Sequence, residues 1–271
     1  MITSHAFSTL ASIPSPSFDS LHAGPLTFRV YGLMYAVAIT AAVLITRRRW
    51  AAQGGDAAIV VDVAIIAVPA GIIGGRLYFL ATSWSEVPDA WWGPLAIWHG
   101  GLGIWGGIAA GTLAGVWVLH RRGVTIAPFL DAAAPALLVA QAIGRIGNYS
   151  NQELFGRPTN LPWGLEIDPE HRPDAYAGDA AFHPTFLYEL IWNLGLAGVL
   201  VLLGQRYRIT PPGLFALYVA GYSFGRIFDE LLRVDPAHHI LGLRLNFFVS
   251  VTLFVGGVGW FWWSQRRGSN V

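Results

Sequence analysis

The sequence predicts an all-α integral membrane protein with about seven transmembrane helices, and two observations lead to that prediction. Of the 271 residues, 54% are hydrophobic and only 12% are charged, whereas roughly a quarter of the residues in a soluble domain are charged. The chain also contains repeated apolar stretches of about 17–25 residues, the length that a helix needs to cross a bilayer. We therefore expect residues 1-271 to form a single membrane domain.

The residue types that are absent exclude several classes of function. The chain has no cysteine, which excludes a disulfide scaffold, a thiolate metal site and a cysteine nucleophile. The formal net charge is +1, and no basic run is interleaved with aromatic residues, so we expect no binding of nucleic acid. All 17 basic residues are arginine, and each offers a planar group that suits phosphate.

Residues 1–25 precede the first apolar stretch and are rich in Ser, Pro and His. A cleavable signal peptide begins with a basic segment that is followed by an apolar core, and this stretch lacks that order. We expect an external N-terminal arm that lies partly on the membrane, rather than a signal peptide.

Seven apolar stretches follow the arm. We place the predicted spans near residues 27–46, 57–82, 100–119, 125–144, 184–204, 212–232 and 243–263. The third is unusually rich in glycine, and small residues allow helices to approach closely in lipid. We therefore expect the third helix to be tightly packed.

The positions of the arginines predict the orientation of the spans. Pairs or triplets of arginine follow the first, third, fifth and seventh spans, and loops rich in basic residues stay on the cytoplasmic side. The N-terminus should then lie outside and the C-terminus in the cytoplasm. The longest polar segment, residues 149-182, should form a small external cap between helices four and five.

Ionisable and polar side chains in the spans concentrate at one depth. At a rise of about 1.5 Å per residue, one group of side chains falls in the outer half of the membrane: Tyr31, Arg76, Arg145, His183, Glu189, Arg226 and Glu230. Because charge at membrane depth is expensive, such a cluster indicates function. We expect one outward-facing polar cavity.

Two of these arginines have different neighbours in the sequence. Arg226 and Glu230 are four residues apart and share a helix face; the pair is either self-neutralising or an arginine aimed at phosphate and held by its carboxylate. For Arg145 the nearest carboxylate in the sequence is Glu153. Arginines that face one cavity can bind a phosphodiester with paired hydrogen bonds, which indicates an outward-facing site for an anion or a phospholipid. An outward-facing anion or phospholipid transporter would use the same arginines, and it stays the alternative to an enzyme.

The most specific pattern begins at the outer end of the fourth span. Residues 144–159 read Gly-Arg-Ile-Gly-Asn-Tyr-Ser-Asn-Gln-Glu-Leu-Phe-Gly-Arg-Pro-Thr, and Pro-Trp-Gly follows at 162–164. The stretch resembles the signature of the bacterial prolipoprotein diacylglyceryl transferases, Gly-Arg-x-Gly-Asn-x-x-Asn-x-Glu-x-x-Gly-Arg-x-Thr followed by Pro-Trp-Gly. Every fixed position of that signature is met.

The resemblance extends from about Phe28 to Pro236. Further matches are the His-Pro-x-x-Leu-Tyr-Glu motif at 183–189, the first helix at 29–35, the glycine pairs at 100–101 and 106–107, and the stretch from 225 to 236. One position departs from the family, because many relatives carry a histidine between the glycine pairs where this chain has Trp105. His99 lies nearby at a different helical phase, so the role of that histidine is not transferred to it.

The resemblance implies transfer of the diacylglyceryl group of phosphatidylglycerol to the lipobox cysteine of a prolipoprotein. A thioether forms and glycerol 1-phosphate leaves. The implied location is the bacterial cytoplasmic membrane, with the active site toward the outer side. The implied partners are phosphatidylglycerol, membrane lipid and a prolipoprotein signal peptide, with no cofactor and no metal.

Within that reaction we expect Arg226 to act at the reacting phosphate and thiolate, Glu230 to orient it, and Arg145 to bind the lipid headgroup. These three are the predicted catalytic residues. The predicted substrate-binding residues are Arg145, Tyr31, Arg76, Asn148, Asn151, Glu153, Arg157, His183, Tyr188 and Glu189. For deprotonation of the thiol the alternatives are Tyr31, Glu153, His183 and the substrate itself.

Overall fold

A computed structural model describes residues 12–16, 19–24 and 26–268. These residues form seven α-helices: α1 (Val30–Ala52), α2 (Ala57–Thr82), α3 (Ile104–Arg121), α4 (Ile126–Ser150), α5 (Thr185–Arg206), α6 (Gly213–Leu232) and α7 (Leu245–Gly268). Each predicted span overlaps one helix. Of the predicted N-terminal arm, residues 1–11, 17, 18 and 25 lie outside the described residues.

Five of the helices, α1, α2, α4, α5 and α7, are long and apolar enough to cross a membrane. The helical class and the membrane character of the prediction are thereby confirmed. The two helices outside this group are α3 and α6. Helix α6 carries three charged residues, Arg226, Asp229 and Glu230, in its last two turns. Seven crossings therefore stay a prediction.

Short antiparallel ribbons lie before the first helix, between α4 and α5, and between α6 and α7. The first joins β1 (Ser20–Ala23) to β2 (Leu26–Arg29), the second joins β3 (Leu165–Glu166) to β4 (Ala181–Phe182), and the third joins β5 (His239–Ile240) to β6 (Leu243–Arg244). Since β2 occupies the residues just before Val30, the first helix begins later than residue 27, where the sequence placed the start of the first span. An apolar stretch indicates which residues can contact lipid, but it does not by itself show where the helix begins.

The fourth helix continues past its predicted end at residue 144. It runs to Ser150, so Gly144, Arg145 and Gly147 are helical and do not lie in a loop. The helix then ends in a turn in which Gln152 and Leu154 adopt φ values of 49° and 57°. Such left-handed backbone is uncommon for residues other than glycine. Residues 144–150, the first half of the signature stretch, therefore have helical backbone, which sets the directions of their side chains.

Residues 43–132 form one of two compact units. In this unit α2 packs on α3 through glycine, since a Cβ on Gly74 would lie 2.3 Å from the Cβ of Ala110 and 2.5 Å from the carbonyl oxygen of Gly106. The backbone N–H of Gly103 also donates to the carbonyl of Gly75 at 2.8 Å. The predicted tight packing of the glycine-rich third span is confirmed.

The second unit comprises the described residues up to 42 and from 133 onward. Its helical core joins α4, α5 and α6 through Ala134, Leu138, Ala197, Leu200 and Leu214. Helix α7 packs on α6, where a Cβ on Gly257 would lie 2.8 Å from the backbone nitrogen of Ala220. Three helices thus meet along one apolar core, and this arrangement positions the site described below.

The segment between α4 and α5 forms a small cap with its own apolar core of Phe155, Leu165, Ile167, Phe182 and Phe186. Residues 12–16 add to it, since the N–H of Ile13 donates to the carbonyl of Gly164 at 2.8 Å. Gln152 donates to Asp168 Oδ2 at 2.6 Å. Hydrogen bonds from Gln152 and Ser15 hold the pKa of Asp168 below its usual range. Residues 149-182 thus form a compact cap, whose first two residues belong to α4, and its external position stays a prediction.

Candidate active site

The candidate active site is centred on the carboxylate of Glu189, near the start of α5. Arg145 of α4 places its Nη2 3.0 Å from Glu189 Oε1, and Arg226 of α6 places its Nη1 3.0 Å from Glu189 Oε2. The hydroxyl of Tyr222 donates to Glu189 Oε1 at 3.1 Å. One buried carboxylate therefore links two arginines from different helices.

Arg226 has two further carboxylate partners on its own helix. Its Nη1 lies 2.9 Å from Asp229 Oδ2, and its Nη2 donates to Glu230. The residues three and four positions along a helix lie on the same face, which is why both carboxylates reach one guanidinium. The predicted ion pair between Arg226 and Glu230 is present.

A second group of charges lies beyond the end of α6. Arg244 donates through Nε to Glu230 Oε2 at 2.6 Å and through Nη2 to Asp235 Oδ2 at 2.8 Å. Arg233 donates to both carboxylate oxygens of Asp235 at 2.7 and 2.8 Å. Burial acts to raise the pKa of Asp235, but the hydrogen bonds and charge of Arg233, reinforced by Arg244, outweigh it and hold this pKa below its usual range.

A series of hydrogen bonds connects Arg145 to Glu153 through Asn148. Arg145 Nη1 donates to Asn148 Oδ1 at 3.0 Å, and Asn148 Nδ2 donates to Glu153 Oε1 at 2.8 Å. Asn151 reaches the same oxygen at 3.4 Å. The nearest carboxylate to Arg145 in the sequence, Glu153, is not its direct ionic partner, which is Glu189 of α5. Glu153 is linked to Arg145 only through Asn148.

Tyr31 lies at the start of α1, against the signature helix. A Cβ on Gly147 would come within 2.7 Å of the Tyr31 ring, so glycine is needed where the two helices cross. The Tyr31 hydroxyl is 3.0 Å from that of Tyr35. Tyr31 therefore lies next to the helix that carries Arg145.

His183 and Tyr188 form a pair at the entrance to α5. The Tyr188 hydroxyl is 3.2 Å from His183 Nδ1 and accepts a hydrogen bond from Trp163 Nε1 at 2.9 Å. Partial burial lowers the pKa of His183. Trp163 belongs to the Pro-Trp-Gly part of the signature, so the two motifs are joined by direct side-chain contact.

The backbone of Gly156 and Arg157 connects the cap to the segment before α5 and to the end of α6. The N–H of Gly156 donates to the carbonyl of His183, and the N–H of Arg157 donates to the carbonyl of Leu232 at the end of α6, both at 2.8 Å. A Cβ on Gly156 would lie 2.8 Å from the Cβ of His183, which explains the need for glycine. The side chain of Arg157 itself is exposed.

Arg76 belongs to the other compact unit, where it binds backbone carbonyls. It donates to Pro94, Gly100 and Gly101 at 2.9 Å and to Gly93 at 2.7 Å. These bonds fix the loop between α2 and α3, and they occupy most donors of the guanidinium. Trp105, in the same unit, is 45% exposed on α3.

Five members of these two groups were not among the predicted site residues: Tyr222, Asp229, Arg233, Asp235 and Arg244. The first two could have been found by counting helical turns from Arg226, since they lie four positions before it and three after it. Arg244 lies just inside the predicted start of the seventh span, at the end that adjoins Asp235. That Arg244 binds Glu230 could not be predicted, because only the folded structure brings the two side chains together.

The arrangement suits an anionic ligand. The Arg145 and Arg226 side chains are 18% and 14% exposed, so both remain partly accessible although they are paired. Guanidinium groups in a water-poor site stabilise negative charge far better than they do in water. Arg145 Nε is buried and has no hydrogen-bond partner in the described part of the chain.

Comparison with known proteins identifies the family. A family model described as prolipoprotein diacylglyceryl transferase matches residues 19–263. A protein of Streptomyces coelicolor named phosphatidylglycerol–prolipoprotein diacylglyceryl transferase 2 is 48% identical over 257 residues, which cover 92% of this chain and 80% of the relative. Proteins with the same name, without the number, come from Frankia alni (50% identical; 92% of this chain, 66% of the relative) and Cutibacterium acnes (48% identical; 91% and 84%). This chain belongs to the prolipoprotein diacylglyceryl transferase family.

Proposed function

We propose that the chain transfers the diacylglyceryl group of phosphatidylglycerol to the cysteine thiol of a prolipoprotein at the cluster of Arg145, Glu189 and Arg226. The thiol loses its proton, its sulfur bonds to the glycerol carbon, and the bond from that carbon to the phosphate oxygen breaks. The products are a thioether-linked diacylglycerol and glycerol 1-phosphate. The alternative of an anion transporter has no support from the relatives that match.

The observation that supports this site is the sharing of Glu189 by two arginines from α4 and α6. Because one carboxylate fixes their spacing, the two guanidinium groups are positioned to bind the oxygens of one phosphodiester. Such preorganised donors stabilise charge as it develops on a leaving phosphate. The same positive charge favours the thiolate form of a nearby cysteine.

The two arginines have different roles in the proposal. Arg226 acts at the reacting phosphate and thiolate, and Glu230 orients it through their ion pair. Arg145 holds the headgroup with Asn148, to which it donates, and with Glu153 and Asn151, which hydrogen bonds connect to Asn148.

The remaining predicted binding residues contribute around this centre. Tyr31 supports the helix of Arg145 by its contact with Gly147. His183 and Tyr188 hold the start of α5, and Arg157 offers an exposed cation on the cap. Arg76, in the other compact unit, stays a proposed substrate-binding residue and there fixes the loop between α2 and α3.

The proposed location is the cytoplasmic membrane of a bacterium, with the N-terminus and the cap outside and the C-terminus inside. A lipid donor would enter between helices, and the peptide would present its cysteine near the outer surface. Because the chain has no cysteine, single replacements give an unambiguous test. Asn160→Cys in the cap should react in intact cells with a maleimide that cannot cross the membrane, and Gln53→Cys, after α1, should not. The reverse pattern would overturn the orientation.

The function is tested by transfer of labelled diacylglycerol from phosphatidylglycerol to a lipobox peptide by the purified protein. Arg145→Lys and Arg226→Lys keep the charge but lose the fork, and each should lower the rate by about a hundredfold or more. Arg208→Lys, at an exposed position after α5, is the matched control and should keep full activity.

Full activity in both site variants would keep the function and remove the proposed roles of the two arginines. If well-folded wild type binds phosphatidylglycerol but transfers nothing, the proposed reaction is wrong.

A further inference from the structure

Of the three carboxylates that contact Arg226, Asp229 accepts the fewest hydrogen bonds. Its Oδ2 accepts one hydrogen bond, from Arg226 Nη1 at 2.9 Å. Its Oδ1 is buried and has no hydrogen-bond partner within the residues that the structure describes. The residue as a whole is 7% exposed. A buried carboxylate in this condition is expensive to keep ionised.

The neighbouring carboxylates are much better satisfied. Glu189 accepts from Arg145, Arg226 and Tyr222. Glu230 accepts from Arg226 and Arg244. Asp229 also shares its only donor nitrogen with Glu189, since both carboxylates contact Arg226 Nη1. Of the three carboxylates next to Arg226, Asp229 has the fewest donors.

The charges of the cluster are balanced before any substrate arrives. Arg233 and Arg244 pair with Glu230 and Asp235. That leaves Arg145 and Arg226 facing Glu189 and Asp229. Full ionisation therefore gives no net positive charge to attract an anion. A docked phosphodiester would make the site net negative in surroundings of low dielectric constant, where like charges repel strongly.

We propose that Asp229 takes up one proton when an anionic phosphodiester docks at this site. The proton comes from solvent and bonds to Oδ1, the oxygen without a partner. The neutral carboxyl then frees one N–H of Arg226 Nη1 to bind a phosphate oxygen, while Glu189 still accepts from the same nitrogen. The group of Arg145, Arg226, Glu189 and protonated Asp229 then carries one positive charge, which the single negative charge of the phosphodiester balances. Glu153 is not part of this count, because it reaches Arg145 only through Asn148. Asp229 is thus a positioning residue that acts through Arg226, and this inference rests on the proposed function.

The groups that face Asp229 support its selection as the proton acceptor. Helix α4 contributes Arg145, α5 contributes Glu189, and α6 with its end contributes Tyr222, Arg226, Glu230 and Arg233. Arginine stays protonated in proteins. Glu189 and Glu230 each accept charge-assisted hydrogen bonds from two arginines. Asp229 has one such bond, so the added proton goes there.

The test measures binding of short-chain phosphatidylglycerol to the purified protein by calorimetry across a pH series, in two buffers with different enthalpies of ionisation. Wild type should take up one proton per lipid bound. Its affinity should then weaken by about tenfold per pH unit above the pH at which the free protein protonates Asp229. Asp229→Asn, which cannot ionise, should bind with no proton uptake and with a flat pH dependence over that range. Asp168→Asn, in the cap, is the matched control and should keep the wild-type slope.

His183 is the other titratable side chain near the start of α5 that could take up the proton. His183→Gln tests this, and we expect the variant to keep the proton uptake. The inference is overturned if wild type takes up no proton, and that result does not depend on whether any variant folds. It is also overturned if Asp229→Asn keeps the wild-type slope, or if His183→Gln abolishes it. Failure of well-folded wild type to bind the lipid at any pH would instead remove the proposed function.

Discussion

Arg145 of α4 and Glu189 of α5 form an ion pair, with Nη2 and Oε1 3.0 Å apart. The other oxygen of the same carboxylate binds Arg226 of α6. One side chain on the middle helix therefore sets the distance between two cations on its neighbours. The first half of the signature and the His-Pro-x-x-Leu-Tyr-Glu motif, which are separate in the sequence, meet at this carboxylate.

We expect Glu189→Gln to destabilise the protein severely, because it leaves two buried arginines without their shared carboxylate. Removing one partner of a buried ion pair costs about 3–5 kcal/mol. The measurement is the unfolding midpoint in detergent, with Glu170→Gln as the control, since the Glu170 side chain is 80% exposed. An unchanged midpoint in Glu189→Gln would show that the two arginines are stabilised by other groups.

The helices of this fold could be predicted because lipid imposes a length and an apolar composition on each of them. Overlap of every predicted span with a helix reflects that constraint. The ends of the helices were less predictable. Helix α4 continues through Arg145 to Ser150, and helix α1 starts only after β2. Neither feature alters the apolar stretch from which the spans were placed.

The site was predictable where its residues lie on one helix or in one motif. The pairing of Arg226 with Glu230 follows from helical spacing, and the structure confirms it. The ionic partner of Arg145 could not be predicted from sequence spacing, since Glu189 lies on a different helix and only packing brings it near. Asp229 was missed because the spacing argument was applied to one carboxylate on α6 and not to its neighbour.

We expect Gly74→Ala to weaken the packing of α2 on α3. The added Cβ would lie 2.3 Å from the Cβ of Ala110 and 2.5 Å from a backbone carbonyl, so the helices must separate. Overpacking of this kind costs about 1–3 kcal/mol, and thermal unfolding in detergent would report it. Gly198→Ala on α5 has no atom within 4 Å of its added Cβ and should keep or slightly raise the stability. Equal behaviour of the two variants would contradict the close approach.

We expect Asp235→Asn to remove an acid-sensitive contribution to stability at the end of α6. The folded-state pKa of Asp235 is lowered, because Arg233 and Arg244 outweigh the effect of burial. A lowered pKa stabilises the fold above the unfolded value of about 3.9, and this contribution is lost as the pH falls through the folded pKa. Hydrogen exchange of residues 233–244 should therefore accelerate in wild type as the pH falls below that value, after correction for the intrinsic rate. In Asp235→Asn the exchange should already be fast at neutral pH. Identical profiles would show that this carboxylate does not hold the segment.

A layer of polar side chains lies one helical turn from the ion cluster. Gln141 precedes Arg145 by one turn and donates to the hydroxyl of Tyr218 at 3.1 Å. Asn193 follows Glu189 by one turn and is fully buried. One turn further on, α4, α5 and α6 meet in the apolar cluster that contains Leu138, Ala197 and Leu214. Because the helices are in contact on both sides of this layer, Asn193 lies in the same helix interface as Gln141 and Tyr218.

Asn193→Leu is expected to raise the free energy of unfolding, because neither amide atom of Asn193 has a hydrogen-bond partner among the described residues. An unsatisfied buried polar group costs about 1–3 kcal/mol, and leucine has nearly the same shape. The unfolding midpoint in detergent should therefore rise, whereas Asn193→Ala should lower it by opening a cavity. A fall in Asn193→Leu as large as that in Asn193→Ala would mean that the amide is bonded in the folded protein. Transfer activity measured beside stability separates two roles for the layer: a more stable but inactive Asn193→Leu would show that the reaction, not the fold, needs the amide.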